Sequence, residues 1–438
     1  MKIKALICLI IALFSMEALS AKGTPPRKIL KMIRNSAVLS QHFTGFALYD
    51  LEKRKMIVEQ NSEKYFTPAS NTKLFTFFAG LKLLKDSVAG LHYVERGDSL
   101  LFWGTADPSF LNREFKEQKV FQKLSATNKK LYWSNGSYTG DFYGVGWSYD
   151  DYNEYYQPEK SELPIYGNVV FFNQMNNSLN TYPKIIGESQ ITIHKDSAIV
   201  SKRFRVQRNL LNNEFHIPNI SIPSGFSQTV PFKVTDQLVG DLLKQSFPNF
   251  AGITPLKKPL DAKTWYSIPS DTLFRYMLLP SDNFIAEHIL LNIAATRGME
   301  MNTSVVIDYV IKNYLSDLPD KPLWVDGSGL SRQNLFTPRA MVKLCEKIYD
   351  EVSDEERLFD LLPQGGKTGT LKNLFKSEKP YVFAKTGSLS NNHNLSGYLV
   401  TRKGKKYIFS FMNNNFTVPT VVIRPEMEKI INLIHQNN

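Results

Sequence analysis

Three short strings along the chain carry residue types suited to serine acyl transfer, in the order Ser70-Asn71-Thr72-Lys73, Ser281-Asp282-Asn283 and Lys385-Thr386-Gly387-Ser388. A serine hydroxyl is a weak nucleophile near neutral pH and needs a base within hydrogen-bond reach. Three residues apart on a helix, Ser70 and Lys73 lie on one face. Lysine accepts a proton only when neutral, against an ordinary pKa of about 10.4. Burial and a second cation would lower that value, and Lys385 is the candidate for the cation. Ser281 offers a hydroxyl that could relay a proton to a leaving amine, and Asn283 an amide that could orient substrate and hold Lys73.

Each string has a plainer reading when taken alone. Ser-x-x-Lys arises by chance and can be a helix cap, but only Ser70 in this chain has Lys three residues on, and it opens a long apolar run, Leu74 to Leu84. Ser281-Asp282 could simply cap the helix that follows. Lys-Thr-Gly occurs twice, at Lys367 and Lys385. The second follows the strand-like Tyr381 to Ala384, and on such an edge the lysine and hydroxyls can dock a substrate as an extra strand. The first follows Pro363-Gln364-Gly365-Gly366, a turn signature. Lys385 is therefore chosen, with Lys367 assigned to a turn. His393, close to the third string, reads as a loop residue.

The elements that must position these groups can be outlined. Lys28 to Ser36 predicts a short helix, and Thr44 to Glu59 two strands around Glu52-Lys53-Arg54. Ser70 falls at the start of a buried helix. Ser270 to Leu279 and Asn283 to Ala295 predict helices broken at Pro280-Ser281, which puts the second string on an interhelical loop. Tyr381 to Lys385, Leu395 to Thr401 and Tyr407 to Met412 predict consecutive strands, followed by a helix from Arg424 to Gln436. Between Lys73 and Ser281 the texture differs: Tyr, Phe and Asn abound, with short β-like runs at Asn168 to Asn173, Gln190 to His194 and Ile199 to Val206. That stretch reads as inserted domain or domains.

Composition bounds the class. A chain of 438 residues with 42% hydrophobic and 21% charged residues is long enough for more than one globular core. Residues 1–20, with Lys2 and Lys4 before the run Ala5 to Phe14 and small residues around Ala18 to Ala21, predict a cleaved secretory signal and no membrane anchor thereafter. Of the two cysteines, Cys8 lies in that segment, leaving Cys345 and no disulfide or cysteine metal site within the exported chain. The net charge of +12 is scattered, which argues against nucleic acid and suits weak attraction to an anionic envelope polymer. No cofactor and no metal site is expected.

Taken together, the three strings resemble those of the D-alanyl-D-alanine carboxypeptidases and endopeptidases of the class C low-molecular-mass penicillin-binding proteins. The resemblance extends to Val325-Asp326-Gly327-Ser328-Gly329-Leu330-Ser331-Arg332 with Thr337-Pro338, to Gly369-Thr370-Leu371, and to Ala106-Asp107-Pro108 and Gly146 to Tyr152 in the insert. It implies an α/β (α+β) fold of the penicillin-binding protein/serine β-lactamase-like transpeptidase type, with a large mainly β insert between the first and second motifs. The expected division is 21–88 and 259–438 for the catalytic domain and 89–258 for the insert. The resemblance also implies Ser70 as acyl-enzyme nucleophile, Lys73 as its base, and Ser281, Asn283 and Lys385 as further catalytic groups. Thr386, Gly387 and Ser388 would bind the substrate's terminal carboxylate, and the backbone N–H groups of Ser70 and Ser388 would form the oxyanion hole. Peptidoglycan stem peptides and cross-links are the implied substrates, β-lactams the covalent inhibitors, and the periplasm the location. Two positions depart from the pattern: Ser388 stands where Thr is expected and Leu374 where Arg is common.

Other classes fit less well. A β-lactamase would share the acylation chemistry, but the long insert favours a peptidase. A non-catalytic wall-binding protein would have no need of intact motifs. A Ser-His-Asp hydrolase lacks its Gly-x-Ser-x-Gly elbow, and the seven histidines are dispersed.

Overall fold

A computed structural model describes residues 25–184, 191–196 and 203–437. The signal-like segment 1–20 lies outside them. The chain packs as two compact units: one of residues up to Leu74 with Leu318–Leu323 and Leu335–Asn438, the other of Phe75–Asp317 with Trp324–Asn334.

The first unit is built on a five-stranded antiparallel sheet, in the order Val382–Leu389, Asn392–Val400, Lys406–Asn414, Phe43–Asp50, Lys55–Gln60. N-terminal and C-terminal strands thus share one sheet. Its central strands are covered on both faces, so Tyr407 to Asn414 is buried residue after residue rather than alternately. On one face Phe46, Leu395, Phe409 and Phe411 pack with Ile29 and Ile33 of the helix Pro26–Asn35 and with Ile423, Ile430 and Ile434 of the helix Thr420–Asn437. From the helix Pro338–Val352, the Cys345 carbonyl accepts from the Tyr398 hydroxyl at 2.8 Å. The last helix begins at Thr420 rather than Arg424. Pro425 therefore sits inside it rather than in its first turn, where a missing N–H is free of cost.

In the second unit a five-stranded sheet runs Phe250–Thr254, Lys130–Ser134, Ser99–Gly104, Ser87–Arg96, Lys263–Pro269, and two three-stranded sheets lie outside it. Phe102, Trp133, Phe172, Phe215 and Phe247 dominate its core. The expected insert, 89–258, falls wholly within this unit, together with the helices Ser270–Leu278 and Asn283–Arg297. The runs at Val169–Met175 and Thr192–Asp196 are strands. Of the run Ile199 to Val206, 199–202 lie outside the described residues; Phe204 to Val206 have no regular structure where a strand was expected, and a strand follows at Gln207–Arg208. Val206 is instead held through a side chain, its N–H donating to Gln228 Oε1 at 2.8 Å.

Candidate active site

In the first unit the chain reaches Ser70 through a strained entry. Ala69 has φ of +49°, a conformation that costs an alanine about 1–2 kcal/mol. Residues Ala69–Thr72 form a 3₁₀ turn that becomes the α-helix Lys73–Leu83. The entry is fixed by side chains of the sheet: Thr67 N donates to Asn414 Oδ1 at 2.7 Å, and Asn394 Nδ2 donates to the Thr67 carbonyl at 2.9 Å. Asn71, inside the first motif, donates to Ser396 Oγ at 2.8 Å, and Ser396 Oγ lies 2.9 Å from Ser410 Oγ. An over-determined strained turn of this kind is a common setting for a reactive group.

The turn brings its lysine back to its serine. Lys73 Nζ donates to Ser70 Oγ at 3.0 Å, with Lys73 fully buried and Ser70 half-buried. The Lys385 motif lies within the edge strand Val382–Leu389 rather than beyond its end. The outer side of that strand is covered at its start, where Gly365 N donates to the Val382 carbonyl at 2.8 Å and Ala384 N to that of Pro363 at 3.0 Å. This cover stops one residue before Lys385. The first Lys-Thr-Gly therefore belongs to a turn, as expected, while its neighbour Thr370 takes a hydrogen bond from Thr386 Oγ1 at 2.8 Å.

Lys385 is fully buried, and burial first, then the Lys73 charge, push its ammonium well below the ordinary lysine range. Its Nζ donates to the Thr386 carbonyl at 3.0 Å. Gly387 packs directly on the serine turn, its missing side chain facing Pro68 and Asn71. Ser388 is exposed, and its Oγ lies 2.7 Å from Nδ1 of His393. The structure thus brings Ser70, Lys73, Lys385, Thr386, Gly387 and Ser388 together within one unit.

Ser281 and Asn283 belong to the second unit. Ser281 adopts φ of +68° between the helices Ser270–Leu278 and Asn283–Arg297, the interhelical position expected. Asp282 is the N-cap, its Oδ1 accepting from Ile285 N at 2.8 Å. Asn283 Nδ2 donates to the Tyr156 carbonyl at 2.9 Å. Nearby in the same unit, the Asp326 loop is fastened to that helix: Glu287 Oε1 accepts from Ser328 N at 2.8 Å. Asp326 itself accepts from Gly329 N, Ser331 N, Asn334 Nδ2 and Trp147 Nε1, at 2.7 to 2.8 Å.

His393 was expected in a loop and is not. It lies on the strand Asn392–Val400, 3% exposed and opposite Ser388. A signal for it existed in the sequence: a two-residue turn at Ser390-Asn391, with Asn391 at φ of +67°, places 388 and 393 across from each other. Leu374, the other departure, packs beside Leu371 and Phe375 against the core of the first unit. Among the described residues no group of His, Cys, Asp and Glu is placed to hold a metal ion, and no helix is long and apolar enough to cross a membrane.

Residues 27–436 match the family model described as D-Ala-D-Ala carboxypeptidase 3 (S13). The chain is 23% identical over 420 residues to D-alanyl-D-alanine carboxypeptidase DacB of Haemophilus influenzae, covering 85% of each protein. It is 24% identical over 443 residues to penicillin-sensitive carboxypeptidase A of Dictyostelium discoideum, covering 86% of this chain and 83% of that one. The crystal structure of penicillin binding protein 4 (dacB) from Haemophilus influenzae matches with a TM-score of 0.73 at 17% identity, over 94% of this chain and all of the other. That likeness is one of fold, and the fold is the one expected.

Proposed function

The chain belongs to the D-Ala-D-Ala carboxypeptidase 3 (S13) family and is a serine-type peptidase of that class, and we propose that it cleaves D-alanyl-D-alanine bonds of peptidoglycan peptides through an acyl-enzyme at Ser70. The observation that carries this reading is the 3.0 Å hydrogen bond from Lys73 to Ser70 on a turn packed against the Lys385 strand. Lys73, once neutral, takes the Ser70 proton as Oγ forms its bond to the substrate carbonyl carbon. The N–H groups of Ser70 and Ser388 hold the resulting oxyanion. The carbon–nitrogen bond then breaks, and the leaving amine receives its proton through Ser281. Water attacks the ester, Ser70 recovers its proton, and the shortened peptide leaves as a carboxylate.

Lys385, with the strand Thr386-Gly387-Ser388, holds the substrate's terminal carboxylate, and that anion favours the charged form of Lys385 that burial and the Lys73 charge disfavour in the free site, leaving Lys73 as the neutral member. Two close, buried lysines cannot both keep a proton cheaply, so the pair favours one neutral member. Ser281 and Asn283 enter on the resemblance of their motif. The segment 89–258 is taken as the insert, and export to the periplasm rests on the signal-like segment 1–20 and on the cell-wall substrate class.

The test is mass spectrometry after incubation with a penicillin, with a penicilloyl adduct expected on the peptide that contains Ser70. Undiminished labelling of Ser70→Ala would sink the nucleophile assignment. Digestion of defined muropeptides separates the two peptidase activities, since free D-alanine and a split cross-linked dimer elute apart. Fast release of hydrolysed penicillin without peptide cleavage would support a β-lactamase instead.

A further inference from the structure

The third motif presents two hydroxyls, and the structure treats them differently. Thr386 is buried and its Oγ1 donates to Thr370 at 2.8 Å, so its proton is already committed. Ser388 is exposed, and the group that governs its proton is outside the motif: Nδ1 of His393, at 2.7 Å across the hairpin. A hydroxyl has one proton to give. If Ser388 donates it to Nδ1, only lone pairs face the substrate, and these repel a carboxylate. If Nδ1 carries the proton and donates to Ser388, the Ser388 proton is free to point outward.

The surroundings favour the second arrangement. Burial, and then the charge of Arg424, push the His393 imidazole down to about 3, so the ring is neutral in any working range and has one N–H to place. Arg424 and Glu428, from the helix Thr420–Asn437, line a cavity of about 10 Å³ with His393, Thr386 and Leu374. Glu428 Oε1 is engaged by Phe375 N at 2.8 Å. The Arg424 charge opposes a proton on the ring, and with Nδ1 engaged by Ser388 we take Nε2 as the nitrogen that keeps its lone pair on the side of the cavity Arg424 lines, which leaves the proton to Nδ1.

We propose that His393 is a positioning residue: it donates from Nδ1 to Ser388 Oγ and thereby turns the Ser388 proton toward an anionic substrate terminus, making the site selective for a free C-terminal carboxylate over a neutral end. The proposal rests on the assignment of Ser388 to carboxylate binding.

The experiment compares kcat/KM for one D-alanyl-D-alanine peptide with a free and with an amidated C-terminus. His393→Ala should lower the free-to-amidated ratio about tenfold, the scale of one hydrogen bond to a charged group. His393→Gln, which keeps a side-chain N–H donor, should recover much of it. In a Ser388→Ala background the His393 substitution should no longer change the ratio. If Ser388→Ala leaves the ratio intact, the assignment of Ser388 is wrong. If Ser388→Ala lowers it and His393→Ala does not, that assignment stands and this inference falls. Nitrogen-15 NMR of histidine-labelled wild-type protein gives an answer that needs no variant: a protonated Nδ1 on His393 is expected, and a protonated Nε2 overturns the proposal.

Discussion

Gly387 and Pro68 approach more closely than any side chain at position 387 would permit: a β-carbon there would lie 2.3 Å from the Pro68 carbonyl oxygen and 2.8 Å from the Asn71 nitrogen. Both obstacles are backbone, so neither can swing aside. Gly387→Ala must separate the strand Val382–Leu389 from the serine turn. Displacements near an ångström in a catalytic constellation cost about 10²-fold in rate. Penicillin acylation of Gly387→Ala should fall by about that much while the melting temperature drops only modestly, as for an overpacked site. Stopped-flow acylation rates near wild type would contradict the close packing.

The two lysines can be told apart by variant and by titration. Lys73→Ala removes the group in contact with Ser70 and should slow acylation by about 10²- to 10⁴-fold. It also removes the second of the two causes that depress Lys385, so the Lys385 pKa should rise. Burial, the larger cause, remains, and the value should stay below that of an ordinary lysine. NMR titration of labelled lysine follows this directly. A Lys385 that titrates identically in both proteins would mean that the two charges do not interact.

Asp326 should matter for stability in the second unit, because its carboxylate gathers the hydrogen bonds of Gly329, Ser331, Asn334 and Trp147 in a buried loop. Asp326→Ala leaves several buried donors without an acceptor at once. A loss of about 3–5 kcal/mol is expected, the range for breaking a buried charged network. Urea denaturation measures it, and a loss under 1 kcal/mol would show that the loop tolerates the hole.

Acid should unfold the protein partly through its histidines. Burial is the first cause in each case, pushing His92 to about 4 and His288 and His393 to about 3, against an ordinary value of 6.5. The unfolded chain binds these protons first, so the stabilisation is complete above about 6.5 and is lost as the pH falls from there toward 3. His288 donates from Nδ1 to the Phe284 carbonyl at 2.8 Å, a contact that favours the charged ring, and burial outweighs it. His288→Asn should flatten the dependence of the urea midpoint on pH between 6.5 and 4, whatever it does to the midpoint at pH 7. An unchanged slope would refute the role of burial there.

Much of the chemistry was legible in order and spacing. Ser70 and Lys73 lie three residues apart, and their 3.0 Å contact follows from one helical turn. The choice of Lys385 over Lys367 needed only the apolar run Tyr381 to Ala384, because strand periodicity is local. Local rules also supplied the interhelical Ser281 and the Asp282 cap. What they could not supply was any fact that depends on which strand lies beside which. The depression of Lys385 comes from burial among residues distant in the chain. The fastening of Asn71 to Ser396 spans 325 positions, and that of Asp326 to Trp147 spans 179. Only folding put the buried imidazole of His393 against Ser388 and the bare face of Gly387 against Pro68. The sequence by itself pointed to Ser70 and Lys73 as the proposed nucleophile and base and to the class of reaction, since those readings depend on residue type and short spacing. Tertiary structure alone decided which protons are free and how closely the motifs approach, since hydrogen bonding and desolvation act through space.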